Sequence, residues 1–175
     1  NTKNVRELPG PMIGIADQDR TWAIGYERLI VAAGARDMGM AFNGWEKAGT
    51  IGANGAASLM DRYQALTSQK ITILGSGNVG LKIAEKALDK GIEVVGIVEV
   101  GPEVRGDPIL YNKLEARGIT TYTAHTVKSA IGATDEIEGL RIVEVGGDLK
   151  PVSGSEKDLE CDTVVLGLGL VPNVE

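Results

Sequence analysis

The segment ITILGSGNVGLKIAEKALDKGIEVVGIVEV, residues 71–100, joins an apolar run to a glycine-rich turn, an amphipathic stretch and a second apolar run. Apolar runs separated by a stretch with helical periodicity are typical of strand, helix and strand in a parallel sheet. The turn has the spacing GxGxxG and consists of Gly75, Ser76, Gly77, Asn78, Val79 and Gly80. This segment decides between a plain α/β domain and one that binds a dinucleotide.

The context of the turn favours a dinucleotide site, although a purely structural turn is the alternative. The motif directly follows an apolar strand, opens a helix, and is followed by an acidic residue at the end of the second strand. Gly75 allows the tight turn, Gly77 lets the backbone approach a pyrophosphate, and Gly80 lets the helix lie close to the strand. Free N–H groups near Asn78 and Val79, together with the helix dipole, are expected to meet the pyrophosphate.

Two charged residues after the second strand bear on which nucleotide is bound. A carboxylate at the position of Glu99 accepts hydrogen bonds from the adenosine ribose hydroxyls, which favours NAD(H) over NADP(H). Arg105 keeps the other choice open, because an arginine there can bind a 2′-phosphate. The alternative interpretation of Glu99 is a solvated residue at a strand end.

The rest of the chain alternates in the same way. We expect a hairpin over residues 12–17 and 21–26, an inner strand over 28–34, a helix over 57–66 with Asn54 as a possible N-cap, a helix after Asp107-Pro108, a strand over 119–124, an antiparallel hairpin over 127–133 and 140–146, and a return strand over 162–169. The predicted fold class is α/β: a Rossmann-like, doubly wound parallel sheet with an antiparallel hairpin or meander.

Composition narrows the classes of function. The chain has 175 residues, a net charge of −6 and a pI near 4.9, without a basic cluster, which argues against nucleic-acid and membrane partners. We expect a small-molecule partner and a cytoplasmic location. The single cysteine and histidine, Cys161 and His125, are interpreted as structural, so no metal site is predicted. We assign no catalytic acid or base to this chain.

Three stretches together resemble two-dinucleotide flavoprotein oxidoreductases, the pyridine nucleotide-disulfide oxidoreductase-like family. They are YERLIVAAGAR at 26–36, ILGSGNVG at 73–80 and CDTVVLGLGLVPN at 161–173. Residues 40–60, MAFNGWEKAGTIGANGAASLM, further resemble a stretch of opine oxidase, hydrogen cyanide synthase and sarcosine oxidase-like subunits. No CxxC pair is present, so the resemblance does not extend to the disulfide-reducing branch.

The resemblance implies an NAD(P)-binding domain inserted into an FAD domain. It places partial FAD-domain strips at 1–50, with the hairpin and inner strand, and at 170–175, around an NAD(P)-binding domain at 51–169. Gly167 and Gly169 would then let the last strand pass close to the dinucleotide or to the interdomain face, with simple close packing of a strand end as the alternative. The FAD-binding GxGxxG is absent, so FAD is expected in the intact protein only.

The implied function is that of an NAD(H)-binding module in which nicotinamide and flavin exchange a hydride. One alternative is a subunit of a flavin-dependent amine or amino-acid oxidase or dehydrogenase with a partly vestigial nucleotide domain. Another is a non-catalytic NAD(H)-binding redox module. The expected partners are the dinucleotide and the remainder of the FAD domain, and both homo- and hetero-oligomers are open.

Overall fold

The computed structural model describes residues 10–173, which fall into two compact units, residues 10–34 and 35–173. In the first unit, strands β1 (Met12–Ala16) and β2 (Thr21–Gly25) form an antiparallel hairpin, as predicted. The side chain of Asp17 closes its turn, since Oδ1 accepts hydrogen bonds from the N–H groups of Asp19 and Arg20, both at 2.8 Å.

The predicted inner strand over residues 28–34 is wrong. These residues form no strand, and the side chain of Ile30 is 91% exposed. An apolar run becomes an inner strand only where strands pair with it on both edges. Within residues 10–34 the structure provides only the hairpin, and it pairs with itself.

The second unit carries the remaining elements. In chain order they are β3 (Ala35–Asp37), β4 (Thr50–Gly52), α1 (Ala53–Asp61), β5 (Lys70–Leu74), α2 (Asn78–Asp89), β6 (Glu93–Val98), α3 (Pro108–Ala116), β7 (Thr121–Tyr122), β8 (His125–Ile131), β9 (Gly139–Glu144), β10 (Lys157–Glu160), β11 (Thr163–Leu166) and β12 (Leu170–Pro172). None of the helices in residues 10–173 is both long and apolar enough to cross a bilayer.

The centre of this unit is a five-stranded parallel sheet in the order β4-β11-β5-β6-β7. The chain moves outward from β5 through α2 to β6 and later returns to β11 on the other side of β5. Strand order therefore reverses between β5 and β11, and ligands of such sheets bind outside the carboxyl ends of the strands at that point. The predicted α/β Rossmann-like class and the return of the last long strand are confirmed.

Two layers cover the sheet. Alternate side chains of a strand point to opposite faces, so Ile71, Ile73 and Val165 pack with the helices α1, α2 and α3. Leu74, Val164 and Leu166 pack instead with the antiparallel sheet β10-β9-β8. The predicted hairpin is thus a three-stranded meander, and β3 and β12 form a separate antiparallel pair. Cys161 lies among the side chains packed between the parallel sheet and the meander and is 2% exposed, which confirms its assignment to the core.

The helix α1 begins earlier than its sequence indicates. It spans Ala53–Asp61, and Asn54 lies inside it rather than at its N-cap. The N–H of Asn54 donates to both carboxylate oxygens of Asp37, at 3.1 and 3.0 Å. The acceptor for this free N–H therefore comes from strand β3, and a residue distant in sequence replaces the local cap.

Candidate functional site

The glycine-rich turn connects β5 to α2, with Gly77 in an extended conformation and the helix beginning at Asn78. Gly75 has a φ of +101°, a conformation that residues with a side chain rarely adopt, and a Cβ there would lie 2.6 Å from the carbonyl oxygen of Gly167. Gly77 is the N-cap of α2, and as a glycine it has no side chain with which to cap this end of the helix. The first N–H groups of α2 have no partner inside a helix, so they are free to bind an anion.

The other two glycines of the motif differ in what surrounds them. A Cβ on Gly77 would have no other described atom within 4 Å, its chain neighbours aside. A Cβ on Gly80 would lie 2.1 Å from the carbonyl oxygen of Gly75. Gly80 is therefore needed for the packing of the helix against the turn, whereas Gly77 borders open space.

That open space is a pocket of about 650 Å³ at the carboxyl ends of β5, β6 and β11. Of the predicted site residues, its lining contains Gly75, Gly77, Asn78, Val79, Glu99, Arg105, Gly167 and Gly169. It also contains Met40, Leu74, Val98, Val100, His125, Thr126, Val127 and Leu168. Ser76 and Gly80 lie behind the lining, both buried. The structure thus brings the glycine-rich turn and the carboxyl end of β6 together at one pocket.

The carboxylate of Glu99 is buried and hydrogen-bonded. The side chain is 4% exposed, Oε2 accepts from the N–H and the hydroxyl of Ser76 at 3.0 and 2.6 Å, and Oε1 accepts from the N–H of Gly101 at 2.9 Å. Burial by itself would raise the pKa of Glu99. The hydrogen bonds from Ser76 and Gly101, with the positive charge of Arg105, nevertheless hold this pKa below the ordinary glutamate value.

The lowered pKa of Glu99 predicts a specific response to acid. Ionised Glu99 stabilises the fold at pH values above the ordinary glutamate pKa, and this contribution is lost as pH falls through the lower pKa of the folded state. We expect the free energy of unfolding of Glu99→Gln to change less than that of the unmodified chain between about pH 6 and about pH 3. Urea unfolding across this range measures it, with the exposed Glu103→Gln as control. Parallel curves for the unmodified chain and Glu99→Gln would contradict the prediction.

The side chains of Ser76 and Asn78 are directed to the segment between β6 and α3. The Ser76 hydroxyl accepts from the N–H of Arg105 at 3.1 Å, and Oδ1 of Asn78 accepts from the N–H of Asp107 at 2.7 Å. Asp107 in turn caps α3 by accepting from the N–H of Ile109, as its position directly before Pro108 indicates. What these two turn residues offer to a ligand in the pocket is therefore their backbone or, for Asn78, the rest of its amide.

The remaining predicted residues divide between packing and lining. Arg105 is exposed and lines the pocket. A Cβ on Gly167 would lie 2.9 Å from Cα of Gly80, so close packing occurs at this strand end in addition to its place in the lining. Gly169 has a φ of +126°, and its carbonyl oxygen accepts from the N–H of Met38.

His125 belongs to the pocket, although its sequence context predicted only a structural role. Its ring is 8% exposed, Nδ1 lies 2.6 Å from the carbonyl oxygen of Thr123, and Nε2 lies 3.3 Å from Nζ of Lys157. Because a carbonyl only accepts, Nδ1 carries the proton and Nε2 accepts from the ammonium. The available signal was position: His125 follows the end of the parallel strand β7, and ligands of such sheets bind outside the carboxyl ends of the strands. Among residues 10–173, no three His, Cys, Asp or Glu side chains lie together as metal ligands would.

A family comparison agrees with this geometry. The model of the family described as "Pyridine nucleotide-disulphide oxidoreductase" matches residues 7–175. The chain belongs to the pyridine nucleotide-disulphide oxidoreductase family. The resemblance of the chain to this family, inferred above from three stretches of sequence, is thereby confirmed.

Individual relatives within this family are distant. The chain is 28% identical over 158 residues to rhodocoxin reductase of Rhodococcus erythropolis, covering 87% of the chain and 35% of the relative. It is 25% identical over 162 residues to rubredoxin-NAD(+) reductase of Pseudomonas putida, covering 86% and 38%. The chain therefore spans little more than a third of the length of these family members.

A solved structure of thioredoxin reductase from T. acidophilum has the same fold. It superposes with a TM-score of 0.69 at 20% identity, covering 91% of this chain and 49% of that one. At this identity the likeness concerns the fold alone.

Proposed function

We propose that the second unit is the NAD(H)-binding module of a flavin-dependent reductase. One observation carries this proposal: Gly77, at the uncapped start of α2, borders an open pocket where the sheet reverses its strand order. Backbone N–H groups and the helix dipole favour a phosphate there. The predicted residues from Gly75 to Gly80, with Glu99, Arg105, Gly167 and Gly169, are the proposed cofactor-binding residues.

The relatives support the reductase part of the proposal and its use of NAD. The names of both curated relatives are those of reductases, and one of them names NAD(+). In the intact protein we propose hydride exchange between NAD(H) and FAD, for which the two cofactors supply the chemistry. The chain itself would bind and orient the nicotinamide nucleotide. The proposed domain boundaries are those that the family resemblance implies: an NAD(P)-binding domain at 51–169 between FAD-domain strips at 1–50 and 170–175.

The pocket favours NADH over NADPH. Ionised Glu99 still has a free acceptor position on Oε1 for a ribose hydroxyl, because within residues 10–173 that atom accepts only from the N–H of Gly101. A 2′-phosphate beside the same carboxylate would meet a like charge. Arg105 offsets this repulsion only weakly, since an exposed guanidinium is screened by salt.

Calorimetry on the chain tests both the function and the preference. We expect NADH to bind about tenfold or more tightly than NADPH, and Glu99→Ser to shrink or invert that ratio chiefly by improving NADPH binding. Glu103→Gln, which removes an exposed charge from the same segment, should leave the ratio unchanged. Absence of NADH binding would refute the proposed function, and equal affinities would refute the preference.

A second function rests on residues 40–60, whose sequence resembles amine- and amino-acid-oxidising flavoprotein subunits. In that case the nucleotide domain is partly vestigial and an amine, rather than NADH, reduces the flavin of the intact protein. A non-catalytic redox module would bind NADH without flavin reduction. Anaerobic mixing of the intact flavoprotein with NADH or with amines separates the three, since stoichiometric bleaching of the flavin by NADH occurs only with the first.

A further inference from the structure

A chain of hydrogen bonds ties the glycine-rich turn to the segment of residues 99–107, here called the β6–α3 segment. The Ser76 hydroxyl donates to Oε2 of Glu99 at 2.6 Å and accepts from the N–H of Arg105 at 3.1 Å. A hydroxyl has a single proton. Since Glu99 takes that proton, a lone pair of the hydroxyl is left for the backbone of Arg105.

Packing makes this connection tight. Ser76 is 0% exposed, so no water competes for its hydroxyl. A Cβ on Gly106 would lie 2.5 Å from Cδ1 of Leu81 and 2.9 Å from the carbonyl oxygen of Ser76, which shows that the backbone of the β6–α3 segment is pressed against the turn. Asn78 adds a second tie through the N–H of Asp107 at 2.7 Å.

These hydrogen bonds fix the position of the backbone that carries the charged side chain of Arg105. Arg105 is exposed and lines the pocket together with Gly77 and Val79. A long exposed side chain loses conformational entropy when it binds an anion. This loss is smaller when the backbone that carries the side chain is already held in place. Ser76 holds the β6–α3 segment at two points, through the Glu99 carboxylate at its start and through the N–H of Arg105 further along.

We propose that Ser76, oriented by Glu99, is a positioning residue that holds Arg105 against a phosphate of the bound dinucleotide. This inference rests on the proposed function, because it requires the pocket to bind a dinucleotide. The shared chemistry is a phosphate, and its source is either the diphosphate of every dinucleotide or the 2′-phosphate of NADPH.

A double-mutant cycle on NADH affinity tests the inference. The variants are Ser76→Ala, Arg105→Gln and the two combined, measured by calorimetry. We expect Arg105→Gln to weaken binding about fivefold in the unmodified chain but less than about twofold in the Ser76→Ala background, because coupled residues are not additive. The cycle of Glu103→Gln with Ser76→Ala is the control and is expected to be additive, since Glu103 is exposed on the same segment.

A second cycle keeps the test valid if Ser76→Ala does not fold. Asn78 is exposed, so Asn78→Ala removes the other tie without a buried hole, and the cost of Arg105→Gln is expected to shrink in that background too. Repeating the cycles with NADPH locates the phosphate. Coupling with both nucleotides assigns the diphosphate, and coupling with NADPH alone assigns the 2′-phosphate.

The outcomes separate this inference from the proposed function. If NADH binds but Arg105→Gln costs the same factor in every background with NADH and with NADPH alike, the positioning role is overturned and the dinucleotide site stands. The same holds if Arg105→Gln has no effect with either nucleotide. If the unmodified chain binds neither NADH nor NADPH, the proposed function itself is overturned.

Discussion

Replacing Gly77 by valine is expected to weaken NADH binding about tenfold or more, which corresponds to about 1.4 kcal/mol. The Cβ of the new residue enters the space beside the start of α2, where no described atom of the protein lies within 4 Å apart from the chain neighbours. In the proposed complex the pyrophosphate occupies that space. Calorimetry with NADH measures the loss.

The same variant should stay folded. Gly77 has a φ of −67° and a ψ of 173°, a region that every residue type adopts, so valine introduces no backbone strain. We expect the thermal midpoint of the ligand-free variant to lie within a few degrees of that of the unmodified chain. A folded variant with full NADH affinity would show that the motif is only a turn.

Replacing Gly80 by alanine is expected to have the opposite profile, a loss of stability of about 3 kcal/mol or more. Alanine is the better helix former by about 1 kcal/mol, but its Cβ would lie 2.1 Å from the backbone oxygen of Gly75. Backbone cannot move aside as a side chain can, so the clash outweighs the gain in propensity. Urea unfolding measures the effect.

Gly77→Ala is the matched control for this second variant. It places the same methyl group three residues earlier in the same motif, where the structure has room for it. The free energy of unfolding of Gly77→Ala should remain near that of the unmodified chain. An equal unfolding midpoint for Gly80→Ala and the unmodified chain would contradict the packing described for this turn.

The sequence predicted the βαβ unit well because its signals are local. The strand β5, the helix α2 and the strand β6 lie where the periodicity placed them, and Asp107 caps α3 as its position before a proline indicates. Long-range contacts account for the errors. The run at 28–34 finds no strand partners within its described unit, and Asp37 rather than a neighbour caps α1.

The edge strand β10 was missed for a related reason. Its sequence is KDLE, of which only Leu159 is buried, so a four-residue strand carries almost no apolar pattern. At the site, the motif located the turn and Glu99, but hydrogen-bond partners depend on tertiary packing. The pairing of Ser76 with Glu99 and Arg105, and the position of His125 in the pocket, follow from the fold rather than from spacing.

The contact of Gly167 with the glycine turn links the site to the order of folding. The turn between β5 and α2 is closed on one side by the end of β11, a strand that follows the whole meander in the chain. Pairing β11 with β5 requires closure of the long loop between them, which costs entropy before the strands make any contact. We therefore expect this pairing to form late. The proposed dinucleotide pocket is therefore complete only after β11 has inserted beside β5, and in the proposed complex NADH would favour chains in which that strand is in place.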